Sequence, residues 1–174
     1  MKKISLMFVG LLLGGMSMMC NAQGKFTVWY GANISNVSFD GGSADSEFKA
    51  LNLGVDYTAP INGTFDWTAG ASYVTKGCKE WNPGFVQIDA NASWYFLKND
   101  DIKLGILTGP YADIMVAKDE AEDTKAISMG WQAGVKAMYK DFSLKVGYEL
   151  GLTDLYKDGK SKANGIYFRL GYSF

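Results

Sequence analysis

The stretch MGWQAGVKAMYKDFSLKVGYELG, residues 129–151, decides the fold. Met129, Trp131, Ala133, Val135, Ala137 and Tyr139 put an apolar or small side chain at every second position. The phase changes once, across Lys140-Asp141, and then Phe142, Leu144, Val146, Tyr148 and Leu150 continue it. Between them stand Gly130, Gln132, Gly134 and Lys136, then Lys145, Gly147, Glu149 and Gly151. A period of two is the signature of a β-strand, whose successive side chains point to opposite faces. Two such runs joined by two residues read as an antiparallel hairpin.

Working outward, the same alternation returns in Phe26–Ile34, Leu51–Tyr57, Phe65–Tyr73, Val86–Phe96, Ile102–Ile114 and Ile166–Phe174, for eight strands in all. The apolar parity carries no charge in any of them. The opposite parity carries Asp56, Asp66, Lys76, Asp89, Lys103, Asp113, Lys136, Lys145, Glu149 and Arg169, with Asn33, Asn52, Ser72, Gln87, Asn91, Gln132 and many glycines between them.

Two kinds of barrel show such alternation. A soluble, periplasmic barrel of lipocalin type turns its apolar face inward around a small apolar ligand, whereas a membrane barrel turns it outward to lipid. The glycines favour the second, because an eight-stranded interior is only just wide enough for side chains. A water-facing surface gains nothing from residues that weaken a strand. The ten charged residues are five basic and five acidic, as a buried lumen requires, since unpaired buried charge is costly. They are therefore expected to form an ion-pair network inside the barrel.

The connections fit the same scheme, with long polar loops at Asp40–Glu47, Gly77–Gly84, Lys118–Lys125 and Tyr156–Ala163. Short ones at Pro60–Thr64, Leu97–Asp101 and Lys140–Asp141 alternate with them. Tyr57, Phe65, Trp67, Trp94, Phe96, Tyr139, Phe142, Tyr172 and Phe174 cluster beside the short turns, as a girdle at one membrane interface does. The expected fold is thus all-β, an eight-stranded antiparallel up-and-down transmembrane β-barrel after a cleaved signal peptide.

The N-terminus supplies that leader. Lys2 and Lys3 precede an apolar run from Ile4 to Met19, which ends at Cys20-Asn21-Ala22-Gln23. This charge, core and cleavage order is that of a secretory signal peptide, giving residues 1–22 as the signal and 23–174 as one barrel domain. The run falls short of the roughly 20 residues a membrane helix needs. A lipoprotein signal lipidated at Cys20 would place a small residue where Met19 stands. Without Lys2 and Lys3, 15 basic residues face 18 acidic ones, from 17 and 18 in the whole chain. That balance argues against a nucleic-acid partner. Only Cys78 then remains, so no intrachain disulfide is expected.

Three stretches resemble the PorT-type outer-membrane β-barrel family: Tyr30-Gly31-Ala32-Asn33-Ile34-Ser35-Asn36, Gly105-Ile106-Leu107-Thr108-Gly109-Pro110-Tyr111, and Tyr148-Glu149-Leu150-Gly151-Leu152-Thr153-Asp154. The closing strand, with Phe168, Leu170, Tyr172 and terminal Phe174, resembles the C-terminal signal read by barrel-assembly machinery. The resemblance implies a cell outer-membrane location, outer-membrane lipids and that machinery as partners, and one barrel domain. It does not by itself imply a role in protein secretion.

No residue pattern calls for a catalytic group, cofactor or metal. The chain has no histidine, so a serine or cysteine nucleophile would need another base. Cys78 beside Lys79, the acidic run Lys118-Asp119-Glu120-Ala121-Glu122-Asp123 and Trp81 read first as ordinary loop residues. The expectation is a non-enzymatic barrel with a small ion-paired lumen, either structural or binding an extracellular or envelope protein through its outside loops.

Overall fold

The computed structural model describes residues 24–39, 42–78, 83–117, 125–155 and 161–174. The expected signal peptide, Trp81 and the acidic run at 118–123 lie outside them.

Nine strands form one sheet: β1 (Lys25–Phe39), β2 (Gly42–Ser43), β3 (Glu47–Pro60), β4 (Phe65–Thr75), β5 (Gly84–Lys98), β6 (Ile102–Ala117), β7 (Ile127–Tyr139), β8 (Phe142–Gly151) and β9 (Ser161–Ser173). From β3 to β9 each strand pairs with its successor, β3 pairs back to β1, and β1 pairs with β9 to close the ring. All pairings are antiparallel. The wall therefore has the eight strands expected. The ninth, β2, is a two-residue arm folded back on Ser38 and Phe39. It exists because β1 runs on past Ile34 to Phe39, making the first loop a strand extension rather than a free polar loop.

Every β3-to-β9 step is a nearest-neighbour hairpin, so backbone N–H and C=O groups find partners on both sides and no edge is left open. At one end the connections are short, and there Asn62 Oδ1 accepts from the amides of Thr64 and Phe65 at 2.9 Å to tie the first turn. The Lys140–Asp141 turn holds Lys140 at φ 52°. Both described chain ends meet at this same end, where Phe26 and Phe174 exchange backbone hydrogen bonds of 3.2 and 2.9 Å.

The two parities separate as expected. Val28, Tyr30, Leu53, Trp94, Ile106, Trp131, Val135, Leu144, Phe168 and Leu170 are exposed on the outer surface. Asp56, Asp66, Gln87, Asp89, Asp113, Gln132, Lys136, Lys145, Glu149 and Arg169 are buried inside. A lipocalin-type interior, with the apolar parity turned inward around a ligand, is thereby overturned. Of the expected girdle, Phe65, Trp94, Phe96, Tyr139, Phe142, Tyr172 and Phe174 are exposed around the short-turn end. Tyr57 is instead covered by the rings of Phe26 and Trp67, at centroid distances of 5.1 and 5.6 Å.

Candidate functional site: the lumen

The lumen is filled in three tiers. The middle tier is ionic and centres on Arg169 of β9. Its guanidinium reaches Asp89 of β5 at 3.3 Å and Glu149 of β8 at 2.9 Å. It also donates to the Gln87 carbonyl at 2.8 Å and lies between the rings of Trp29 and Tyr167, 4.6 and 4.5 Å from their centroids. Glu149 passes the charge onward to Lys76, whose Nζ is 2.7 Å from it and 2.7 Å from Asp113. Lys76 rests over the Tyr111 ring. Lys145 pairs with Asp56, which also accepts from the Trp29 indole at 3.0 Å. These groups come from strands on opposite sides of the barrel, so the ion pairs tie the wall across its axis. Desolvating such charges is expensive unless the remaining lone pairs are met, and Gln87, Asn91 and Trp29 meet several of them.

Of the ten charged residues expected to interact, Asp56, Lys76, Asp89, Asp113, Lys145, Glu149 and Arg169 are brought into these pairs. Asp66, Lys103 and Lys136 are not. They stand nearer the short-turn end in a second tier around Tyr95, and among the described residues none of the three forms an ion pair. The Asp66 carboxylate meets the Tyr95 hydroxyl. The ammonium groups of Lys103 and Lys136 lie 5.7 and 5.8 Å from the Tyr95 ring centre.

The third tier closes the long-loop end with apolar side chains. Val37, Val74, Phe85 and Leu155 pack into one cluster that extends to Trp29, with Cys78, Met115 and Ala163 against it. Leu155 reaches inward from the loop after β8, held by backbone hydrogen bonds to Lys125 and Ser161 of 2.7 and 2.8 Å. Cys78 is thus a packing residue at the rim of that cluster.

Sequence reasoning missed the inward aromatics. Trp29, Tyr95, Tyr111 and Tyr167 all sit on the polar parity, and each lies directly across a strand pair from a glycine: Gly54, Gly105, Gly130 and Gly147. A Cβ on these glycines would come within 2.7 Å of the Trp29 ring, 2.9 Å of Tyr95, 2.3 Å of Tyr111 and 2.5 Å of the Tyr167 hydroxyl. The glycines therefore serve as recesses for rings, rather than only as spacers between charges. The pairing was present in the sequence, but it needs the register to be seen.

Phe168, Leu170 and Tyr172 of β9 and Phe174 just beyond it are all exposed.

No protein-family profile matches the chain, and no curated protein matches it. Among solved structures it is similar to Neisserial surface protein A, at 16% identity and a TM-score of 0.54, over 86% of this chain and 97% of that one. It is also similar to Ail, the attachment invasion locus protein of Yersinia pestis, solved in complex with the heparin analogue sucrose octasulfate. There the identity is 18% and the TM-score 0.50, over 87% of this chain and 99% of Ail. At these identities the likeness is one of fold: a small closed barrel spanning nearly the whole of each chain.

Proposed function

We propose that this chain is a non-enzymatic integral protein of the cell outer membrane, exported behind residues 1–22 and embedded as a barrel whose lumen is packed rather than open. The carrying observation is the outer surface. Phe26, Val28, Tyr30, Leu51, Leu53, Val55, Ile106, Trp131, Val135, Leu144, Leu150, Ile166, Phe168 and Leu170 are all exposed, and no charged side chain interrupts these outward positions. An apolar surface that encircles a molecule far exceeds what soluble monomers expose. Lipid accepts it, provided that no backbone group is left unpaired, which a closed barrel ensures. The strands, of 10–16 residues in the wall, meet the length a tilted spanning strand requires.

On this reading the short-turn end, with its aromatic ring and both chain ends, faces the periplasm, and the long loops face outward. Outer-membrane lipids and the barrel-assembly machinery are the partners, the latter through Phe168, Leu170, Tyr172 and Phe174. The long loops are the surface left for an envelope or extracellular protein. The PorT-type resemblance and the central ion pairs support a structural or partner-binding role.

Fractionation and heat-modifiable mobility test this together. The protein is expected in the outer-membrane fraction, migrating faster in detergent gels before boiling than after. Recovery from the soluble periplasm with one unchanging mobility overturns the reading.

A further inference from the structure

We infer that the short-turn mouth of the lumen is a binding site for a small multivalent oxyanion of the phosphate class. Its location on the periplasmic side rests on the reading above; the site itself requires only the folded barrel.

The mouth narrows into a chamber of about 230 Å³. Its lining brings together Lys25, Lys98, Lys103, Lys136 and Lys145 with a single carboxylate, Asp66. Outside it lies a wider vestibule of about 410 Å³, where Asp100, Asp101 and Asp141 stand beside Lys25, Lys103 and Lys140. The vestibule is mixed in sign; the excess of cations begins at the inner chamber.

Counter-charges already present account for only part of that excess. Lys145 is paired with Asp56 beneath the chamber, and Lys25 with Asp141 at its rim. Lys98 donates to the carbonyl of Gly63 at 2.6 Å, which satisfies a proton and leaves the charge. Lys103 and Lys136 have no carboxylate partner among the described residues. Lys136 is the telling one: its side chain is only 2% exposed, it lines the chamber, and its charged neighbours are Lys145 and Lys103 with Asp66 and Asp56. A buried lysine without a counter-ion either gives up its proton or acquires an anion that holds the charge in place. Elsewhere in this lumen Lys76, Lys145 and Arg169 meet carboxylates directly, whereas five lysines and one carboxylate share the chamber, which gives its lining a surplus of cationic groups. A phosphate-class anion fits it: several oxygens accept from several lysines at once, and lysine is well suited to phosphate as a movable point charge. The chamber has room for such an anion with some of its water.

The test uses the refolded barrel in zwitterionic detergent, its folding verified by heat-modifiable mobility, with pyrophosphate as the probe and calorimetry as the readout. Saturable binding near one per barrel is expected. Lys136→Met and Lys103→Gln should each weaken it by about tenfold, the scale of one charge-assisted contact. Lys162→Met, on an exposed β9 side chain, should leave it unchanged. Absence of saturable binding to folded wild type overturns the proposal, as does equal weakening by all three substitutions, which would report net charge alone. If one mouth variant fails to shift on heating, the other carries the comparison. Nanodiscs then separate the two sources of phosphate. Weaker pyrophosphate binding to wild type in phosphatidylglycerol than in phosphatidylcholine discs, abolished by Lys136→Met, identifies a lipid headgroup as occupant. Equal binding in both identifies the free anion. A barrel that binds but fractionates as soluble would retain this site while overturning the membrane assignment.

Discussion

Arg169 is the residue on which the lumen's polar contacts converge: two carboxylates, one amide and two rings. Arg169→Met would leave Glu149 and Asp89 facing each other without their shared cation, and breaking a buried pair from one side costs about 3–5 kcal/mol. Urea midpoints read from the heat-modifiable band should fall accordingly. Arg169→Lys should recover only part of the loss, because an ammonium cannot span both carboxylates and stack between two rings as the planar fork does. Gly54 makes a complementary case of volume rather than charge. A methyl there would meet Trp29 at 2.7 Å and the Ser72 Cβ at 2.5 Å. Overpacking of this kind costs about 1–3 kcal/mol, so Gly54→Ala should lower the urea midpoint although alanine is otherwise the better strand residue.

At the level of strands, alternation was enough to place every wall element and to tell its outer from its inner face. Val135 and Lys136 are adjacent in sequence, yet one is exposed on the outside and the other buried in the lumen. Val135→Arg should therefore hinder insertion, at about 2–4 kcal/mol for a cation at mid-membrane. The fraction of protein that assembles into lipid vesicles measures it, and undiminished assembly would mean that this face does not meet lipid. What alternation could not supply was register. The sign of each inward residue was visible, but which residues meet depends on strands from opposite sides of the ring. Alternation alone groups Asp66, Lys103 and Lys136 with the other seven, whereas the stagger of the strands sets them in a separate tier. It also passed over Trp29, Tyr95, Tyr111 and Tyr167, because an aromatic on the polar parity looks like an interruption until its glycine is found across the pair.

For the whole molecule, the three tiers determine whether anything passes. An apolar stopper at the long-loop end, ion pairs across the middle and a cationic chamber at the short-turn end lie in series along one axis. Eight strands leave no spare bore beside them. Planar bilayers containing the purified barrel should show no stable conductance steps, and regular steps in wild type would mean that the middle tier is not closed. Removing the stopper alone, as Leu155→Ala does, should not open a path, since the ion pairs below it remain. Leu155→Ala together with Arg169→Ala should give intermittent current if the two are the successive barriers.

The seam between β1 and β9 carries a consequence for timing. Thr27 bonds to Ser173 at 2.8 Å across 146 positions of sequence, and Phe26 to Phe174. The first strand therefore keeps one side unpaired until β9 is in place. No shorter nascent chain can close the ring, and the entropy of joining such distant segments is spent in one late step. Until that step the unclosed sheet has unpaired strand edges and an apolar face, features that favour association between copies. On the proposed route to the membrane, the barrel's yield should be governed by how quickly its two ends are brought together.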